Sequence, residues 1–547
     1  MKKQILIVGG VAGGASAAAK VRRECEDCDI HVFERGPYIS FANCGLPYYI
    51  GKEIGSRDQL LLASPESFKK KYNVDVHVET EVLSIQPKEK TILVKGPNGE
   101  KQFSYDKLIV SQGASPLVPP FKGVDKKHVF TLRNIPDMDK IFSYSNENSL
   151  KSAVVIGGGF IGLEMAEAFA HRGLQVSVIE KAPHILPLLD QDIASELQEK
   201  LLKNDKISLY TGLGATEILD DSVILENGHK VSADVVLVSI GVRPELDLVK
   251  NAGIEIGATG GVVTNSQMQS SEPDIYAVGD MAETFHQITG QKLRIPLAGP
   301  ANKQGRIAGA NVVGGKMSYK GALGTSIVRV FDQVVGTTGL NSRQATQSGY
   351  IFFTSITRDW DHASYYPGAN MLATKVLVQE GTGLILGAQV LGVTGVDKRI
   401  DVLATAITGG LSVHDLENLD LAYAPPFGSA NDPINMSGFV ASNIQNTSHS
   451  TIHANDLDKF DGLLIDVREK SELQAQGKLK GAVHIALGDL RSKLSSLDKN
   501  KEIVVYCQKG QRGYLAHRIL KLNGFLVKNL KGGFLEAKYN GLEIVSE

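Results

Sequence analysis

One local design occurs twice in this chain: an apolar strand, a glycine turn and a helix, over residues 4–20 and again over 152–172. Ile5-Leu-Ile-Val8 and Val154-Val-Ile156 are unbroken apolar runs too short for helices, the signature of strands buried on both faces. A strand buried that way sits in a parallel sheet, and parallel neighbours are joined by crossover helices. Strand-like runs alternate with helical stretches through most of the remaining sequence, so the expected class is α/β. At roughly 100–200 residues per domain, 547 residues make three or four domains.

The turns carry chemistry. Gly157, Gly159 and Gly162 fit G-x-G-x-x-G, opening a helix at Phe160-Ile161. Such glycines permit the tight turn and the close approach of a pyrophosphate, which the helix N-terminus then holds through free N–H groups. The next strand ends at Glu180, about 20 residues on, where a carboxylate accepts hydrogen bonds from a ribose 2′-OH and repels a 2′-phosphate. NADH is therefore expected over NADPH, with Lys181 beside Glu180 working against that preference. The first turn, Gly9-Gly10-Val11-Ala12-Gly13-Gly14, has Val11 in place of the middle glycine. It still follows a strand, opens a helix and precedes a strand ending at Glu34, so a second nucleotide is expected there.

With 58 basic and 60 acidic residues, the formal charge of −2 gives no footprint for nucleic acid or an anionic membrane. No apolar stretch reaches the ~20 residues of a membrane span. Lys2, Lys3, an apolar run and Ala15-Ser16-Ala17 have the outline of a secretion signal. The glycine spacing favours strand, loop and helix, and a cytoplasmic location is expected.

Of the four cysteines, Cys25 and Cys28 form a lone CxxC with no second pair to complete a zinc site, so no metal is expected. Cys44, in Ser40-Phe-Ala-Asn-Cys-Gly-Leu-Pro-Tyr-Tyr49, stands at a turn into a helix, where a thiol pKa is expected to be lowered. The strand Ile275-Tyr-Ala-Val-Gly279-Asp280 ends in Gly-Asp. With the two glycine loops, it makes residues 1–440 resemble the pyridine nucleotide–disulfide oxidoreductases. The resemblance implies FAD on the first module, contacted by Gly9, Gly10, Ala12, Gly13, Glu34, Arg35, Val82, Gly113, Arg133, Asp280 and Leu297. It implies NADH on the second, at Gly157, Gly159, Phe160, Ile161, Gly162, Glu180 and Gly241. Dithiol members carry CxxxxC, but Tyr49 occupies the second cysteine's position here. One protein sulfur must therefore cycle, either as a sulfenic acid, as in NADH oxidases and peroxidases, or as a mixed disulfide or persulfide with a small thiol. Peroxidases of this superfamily have a histidine in the first loop where Ala12 stands, which argues against peroxide.

The run around Cys44 is similar to that of coenzyme A–disulfide reductases. The likeness implies an obligate homodimer with shared sites, where Tyr365 and Tyr423 reach the partner's reacting sulfurs. It also implies a coenzyme A site of Ser16, Lys20, Arg23, Ser40, Asn43 and Lys71. Lys69-Lys70-Lys71 reads equally well as a solvated charged face. Lys20 stands where some relatives have Gln, and Asn431 where some have Lys.

Past a polar stretch at 441–455, the segments Leu463-Leu-Ile-Asp466-Val-Arg468, Gly481-Ala-Val-His484 and Ile503-Val-Val-Tyr-Cys507 through Arg512-Gly513 resemble a rhodanese domain. A cysteine ending a buried strand, followed by a loop into a helix, is an anion cradle. The likeness implies that Cys507 accepts sulfur and that Arg512 shapes the loop; the alternative is a silent domain used for docking. The expected layout is an FAD domain at 1–112 and 246–325, an NADH domain at 113–245, an α+β dimerisation domain at 326–440, a linker at 441–455 and an α/β rhodanese domain at 456–547. The whole resembles fusions of coenzyme A–disulfide reductase with rhodanese, implying NADH-dependent reduction of small thiol disulfides, persulfides or polysulfide. The rival reading is an NADH oxidase or peroxidase working through a Cys44 sulfenic acid.

Overall fold

The computed structural model describes residues 2–546. The chain divides into two compact units, Met1–Pro183 with Asp205–Gly324, and His184–Asn204 with Thr325–Glu547.

The first unit holds both glycine loops. One parallel sheet runs in the order Ile275–Ala277, Lys107–Val110, Gln4–Val8, Asp29–Phe33, Asp75–His77. The other runs Ile207–Thr211, Gln175–Glu180, Ser152–Ile156, Val235–Val238, Val129–Phe130. The central strands are dry: Ile5, Leu6, Ile7, Val154 and Val155 are fully buried, as unbroken apolar runs require. Each central strand therefore delivers its loop to a sheet's carboxyl edge, where ligands of open α/β sheets bind.

The second unit contains an antiparallel sheet in the order Ser326–Val330, Gln333–Gly339, Ile385–Gly392, Met371–Gln379, Phe352–Trp360. It also contains a parallel sheet in the order Thr451–Ile452, Val527–Leu530, Ile503–Tyr506, Leu463–Asp466, Val483–His484. The stretch His184–Asn204, numbered within the expected 113–245 domain, packs in this unit. The helix Gln191–Leu201 buries an apolar face (Ile193, Leu197, Leu201) together with Asp192 and Glu196, which pair with Lys375 (2.5 Å) and Arg358 (3.0 Å). The polar stretch 441–455 is more ordered than its composition predicts. The helix Pro433–Gln445 runs into it, and Thr451–Ile452 is already an edge strand of the parallel sheet. No helix among the described residues is long and apolar enough to cross a membrane.

Candidate functional site

The two glycine loops repeat one hydrogen-bond plan. Gly10 N–H donates to Glu34 Oε2 (2.8 Å), and Gly158 N–H donates to Glu180 Oε2 (2.7 Å). The other oxygens accept from Gly36 N–H (2.8 Å) and Ala182 N–H (2.7 Å). Each carboxylate is thus fixed at the end of its strand, where a ribose would be met. Gly162 has no room for a side chain, because a Cβ would lie 2.0 Å from Gly157 O. A Cβ on Gly159 would meet open space, and Gly159 caps the helix Phe160–His171 without a side-chain hydrogen bond. That free helix end, with Phe160 and exposed Ile161, is where a pyrophosphate fits. Lys181 is turned onto Glu226 (3.1 Å), which commits its charge elsewhere.

At the first module, Gly9 (φ +94°) passes so close to Ser111 that a Cβ would lie 2.3 Å from its carbonyl oxygen. Gly13 presses on Ser111 Oγ, and Ala12 opens the helix Ala12–Glu24. Leu297 caps the helix Ala298–Asn311, again without a side-chain bond, and Asp280 lies in the short turn Gly279–Met281. Burial raises the Asp280 pKa, against the pull of Arg133 and Arg294. Gln112 Oε1 is buried with no hydrogen-bond partner. An orphan acceptor beside two uncapped helix ends fits a flavin nucleotide. Arg35 and Arg133 are drawn to Glu245, at 3.2 Å each, and Arg133 also donates to Ser115 Oγ (2.6 Å) and Gln112 O (3.1 Å). Val82 is buried in the strand Glu81–Gln86, while Gly113 (φ +71°) and Gly241 (φ +122°) lie at the paired crossings Ala114–Pro116 and Val242–Pro244.

Cys44 is exposed and unpaired, in the turn Asn43–Gly45. Its thiol faces Asn43 Oδ1 at 3.8 Å, and the same oxygen accepts from its amide N–H (3.1 Å). The expected lowering of its pKa is not found. Surrounding protein desolvates the thiolate, the carboxylates of Glu164 and Asp280 oppose it, and together they raise the pKa. The following helix, Leu46–Ile50, has only five residues and offers little dipole against them. Glu164 is held in place by the Tyr48 hydroxyl, which donates to it (3.1 Å). We expect Glu164→Gln to keep that bond and shift the pH midpoint of Cys44 alkylation downward. An unchanged midpoint would remove Glu164 from the account.

Among the described residues, Cys44 is not joined to another cysteine. Cys25 and Cys28 are joined to each other, and Tyr49 stacks on Phe142 (4.8 Å between rings). Around the first helix, Ser16 donates to Asn302 (2.8 Å), Lys20 is buried and paired with Glu24, and Arg23 is exposed. Ser40 N–H bonds Gly10 O (2.9 Å), tying the Cys44 segment to the first loop. Lys71 lies over the Tyr72 ring (5.2 Å). Sequence reasoning passed over Asn302, Gln112 and Glu164; their signal is tertiary.

In the second unit, Tyr365 and Tyr423 meet, hydroxyl to hydroxyl, at 3.3 Å, and both are exposed. Trp360, Tyr366 and Phe427 are exposed on the same domain. Cys507 is 1% exposed at the end of the strand Ile503–Tyr506, and Gly510 N–H points at its sulfur (3.2 Å). Arg512 forms a bidentate pair with Glu472 (2.6 and 2.7 Å), pinning the loop's far end. For metals, Asp29, His31 and Asp75 bring ligand atoms within 4.8 Å, as do Glu53, Glu167 and His171. In the first cluster, Lys69 pairs with Asp75 (2.8 Å).

Comparison with known proteins follows the same division. Residues 3–305 match the pyridine nucleotide-disulphide oxidoreductase model, 325–432 that family's dimerisation domain and 450–539 a rhodanese-like domain. The crystal structure of reduced Bacillus anthracis CoADR-RHD is similar at 43% identity, covering 98% of each chain with a TM-score of 0.96. An NAD-dependent persulfide reductase from A. fulgidus is similar at 37% identity and a TM-score of 0.92, covering 97% of this chain and 99% of that one. The NAD(P)H coenzyme A polysulfide/persulfide reductase of Pyrococcus horikoshii is 37% identical over 79% of this chain and 97% of its own.

Proposed function

This chain belongs to the pyridine nucleotide-disulphide oxidoreductase family, and on that premise we propose that it uses NADH to reduce coenzyme A disulfide, coenzyme A persulfide or polysulfide at Cys44, with Cys507 handling sulfane sulfur. The observation carrying this reading is an exposed Cys44 that is unpaired among the described residues, with Cys25 and Cys28 joined to each other and the other free cysteine, Cys507, buried. A lone sulfur that cycles through a disulfide completes it with a small thiol. The relatives named for coenzyme A and persulfide support that choice of thiol.

A bound flavin supplies the two-electron relay between nicotinamide and sulfur. The protein's own residues orient and exchange the rest. Glu180 and Glu34 would hold the two riboses, and with Lys181 paired to Glu226 the second site would favour NADH. The Cys44 thiolate attacks one sulfur of the substrate, forming a mixed disulfide and releasing the other sulfur as thiolate or hydrosulfide. Two electrons from NADH then cleave the mixed disulfide, restoring Cys44 and freeing the thiol. The sums are NADH + H⁺ + RSSR → NAD⁺ + 2 RSH, and NADH + H⁺ + RSSH → NAD⁺ + RSH + H₂S. Tyr365 and Tyr423, contributed across a homodimer, would give hydrogen bonds to the leaving thiolate. The exposed aromatic surface around them supports an interface there. At the rhodanese site, the Cys507 thiolate takes sulfane sulfur from a donor and passes it to coenzyme A, making the persulfide that Cys44 reduces.

Anaerobic NADH consumption separates this from the oxidase reading. We expect rapid turnover with coenzyme A persulfide and release of sulfide without oxygen. Turnover that requires oxygen or peroxide would sink the proposal.

A further inference from the structure

The loop that cradles Cys507 leans on a turn belonging to its own domain, and that turn leans on the antiparallel sheet. Phe534 N–H donates to Cys507 O (2.8 Å) and Leu535 N–H to Gln508 O (3.1 Å), so residues 532–535 form the back wall of the loop. Gly533 (φ +66°) sits so tightly there that a Cβ would lie 2.3 Å from Cys507 O and 2.9 Å from Gly510 N. Gly510 N–H is the donor aimed at the Cys507 sulfur. The preceding Gly532 (φ +62°) faces the other way, and a Cβ on it would lie 2.9 Å from Ile356 Cγ2 and 2.7 Å from Glu536 Cβ.

Ile356 and Arg358 lie two apart on the strand Phe352–Trp360, so they share a face. Arg358 Nη1 donates to Gly532 O (3.4 Å), while Nη2 reaches Glu196 (3.0 Å) and Glu536 (3.1 Å). The arginine is buried and clamped between an acid of the helix Gln191–Leu201 and one of the helix Gly533–Tyr539. From Ile356 and Arg358 through Gly532–Gly533 to Gly510 and the sulfur, every step is a close contact. Two consecutive glycines with positive φ leave no side chain to take up slack.

We infer that Arg358 and Ile356 are positioning residues for the Cys507 site, so that the dimerisation domain sets the geometry of the sulfur cradle. The inference rests on Cys507 being the sulfur acceptor. A rhodanese loop formed wholly within its own domain would be indifferent to the sheet beside it. Here the peptide facing the sulfur is wedged by a turn whose other side is a foreign strand. A displacement of that turn moves the Gly510 N–H relative to the sulfur that it stabilises.

The test uses the full-length protein with Ile356→Ala and, separately, Arg358→Lys. Ile356→Ala opens the space behind Gly532 without leaving a buried charge unpaired, so it carries the test if the arginine variant fails to fold. Alkylation of Cys507 by iodoacetamide is followed against pH, with Cys507 and Cys44 resolved by peptide mass spectrometry. Sulfite release from thiosulfate and NADH-dependent reduction of coenzyme A disulfide are measured alongside. We expect sulfite release to fall about ten- to a hundredfold, as for other small misplacements of reacting groups. The Cys507 alkylation midpoint should move to higher pH, with disulfide reduction within about twofold of wild type. Wild-type alkylation profiles in both variants would overturn the inference. A wild-type protein that releases no sulfite would instead overturn the sulfur-acceptor reading, and the alkylation profiles would still decide the positioning role.

Discussion

Cys44→Ser will lose NADH-dependent reduction of coenzyme A disulfide and persulfide by about 10³-fold or more, the scale seen when a nucleophile is removed. The size follows from the lack of a substitute. In a dithiol enzyme, a second cysteine five residues on would keep part of the exchange chemistry. Here that position is Tyr49, packed on Phe142, and the remaining pair, Cys25 and Cys28, is already joined. A serine oxygen cannot form the mixed disulfide. The substitution is small and Cys44 is exposed, so folding should be untouched. Flavin binding should also survive, because Glu34, Gln112 and the free end of the helix Ala298–Asn311 do not depend on the sulfur. Cys507 is a separate centre, so sulfite release from thiosulfate should continue at the wild-type rate. Retention of more than a tenth of the reductase turnover would show that the chemistry runs elsewhere.

What was legible in the sequence was what local geometry dictates. A strand followed by Gly157, Gly159 and Gly162 admits few conformations, and Glu180 at the next strand's end follows from the same unit. The exposed turn at Cys44 was readable from Asn43, Gly45 and Pro47. The direction of its pKa was not, because Glu164 and Asp280 come from distant parts of the chain. The resemblance put Lys20 at a coenzyme A site, yet Glu24 stands four residues on, the ordinary spacing of a helical ion pair, and the two are joined. Charged residues on strands and helices read as solvent-facing, and that rule hid Arg358, Lys375, Asp192 and Glu196, all buried. Their pairing accompanies the packing of His184–Asn204 in the second unit, and the apolar face of Gln191–Leu201 does not by itself say which neighbour covers it.

Arg468→Met will destabilise the parallel sheet around Cys507 by about 3–5 kcal/mol, the usual cost of leaving one member of a buried ion pair without its partner. Asp466 and Arg468 are both wholly buried, with Nη2 2.6 Å from Oδ2 and Nε 3.0 Å from Oδ1. The guanidinium also donates to Gly477 O (2.8 Å) and Gln508 Oε1 (3.2 Å), and it lies 4.0 Å from the Phe534 ring centre. Methionine fills much of the volume but leaves the Asp466 carboxylate in a dry core, so the loss is electrostatic rather than a cavity. Gln508 and Phe534 border the Cys507 loop, so local opening should end sulfur transfer there. Amide exchange in the strands Leu463–Asp466 and Ile503–Tyr506 should quicken on the order of 10²–10⁴-fold, the equivalent of that free energy at 1.36 kcal/mol per decade. Adding Asp466→Leu to the same variant should restore most of the protection, since an apolar pair of similar volume carries no unpaired charge. Exchange within tenfold of wild type in the single variant, or no recovery in the double, would show that this pair does not hold the sheet.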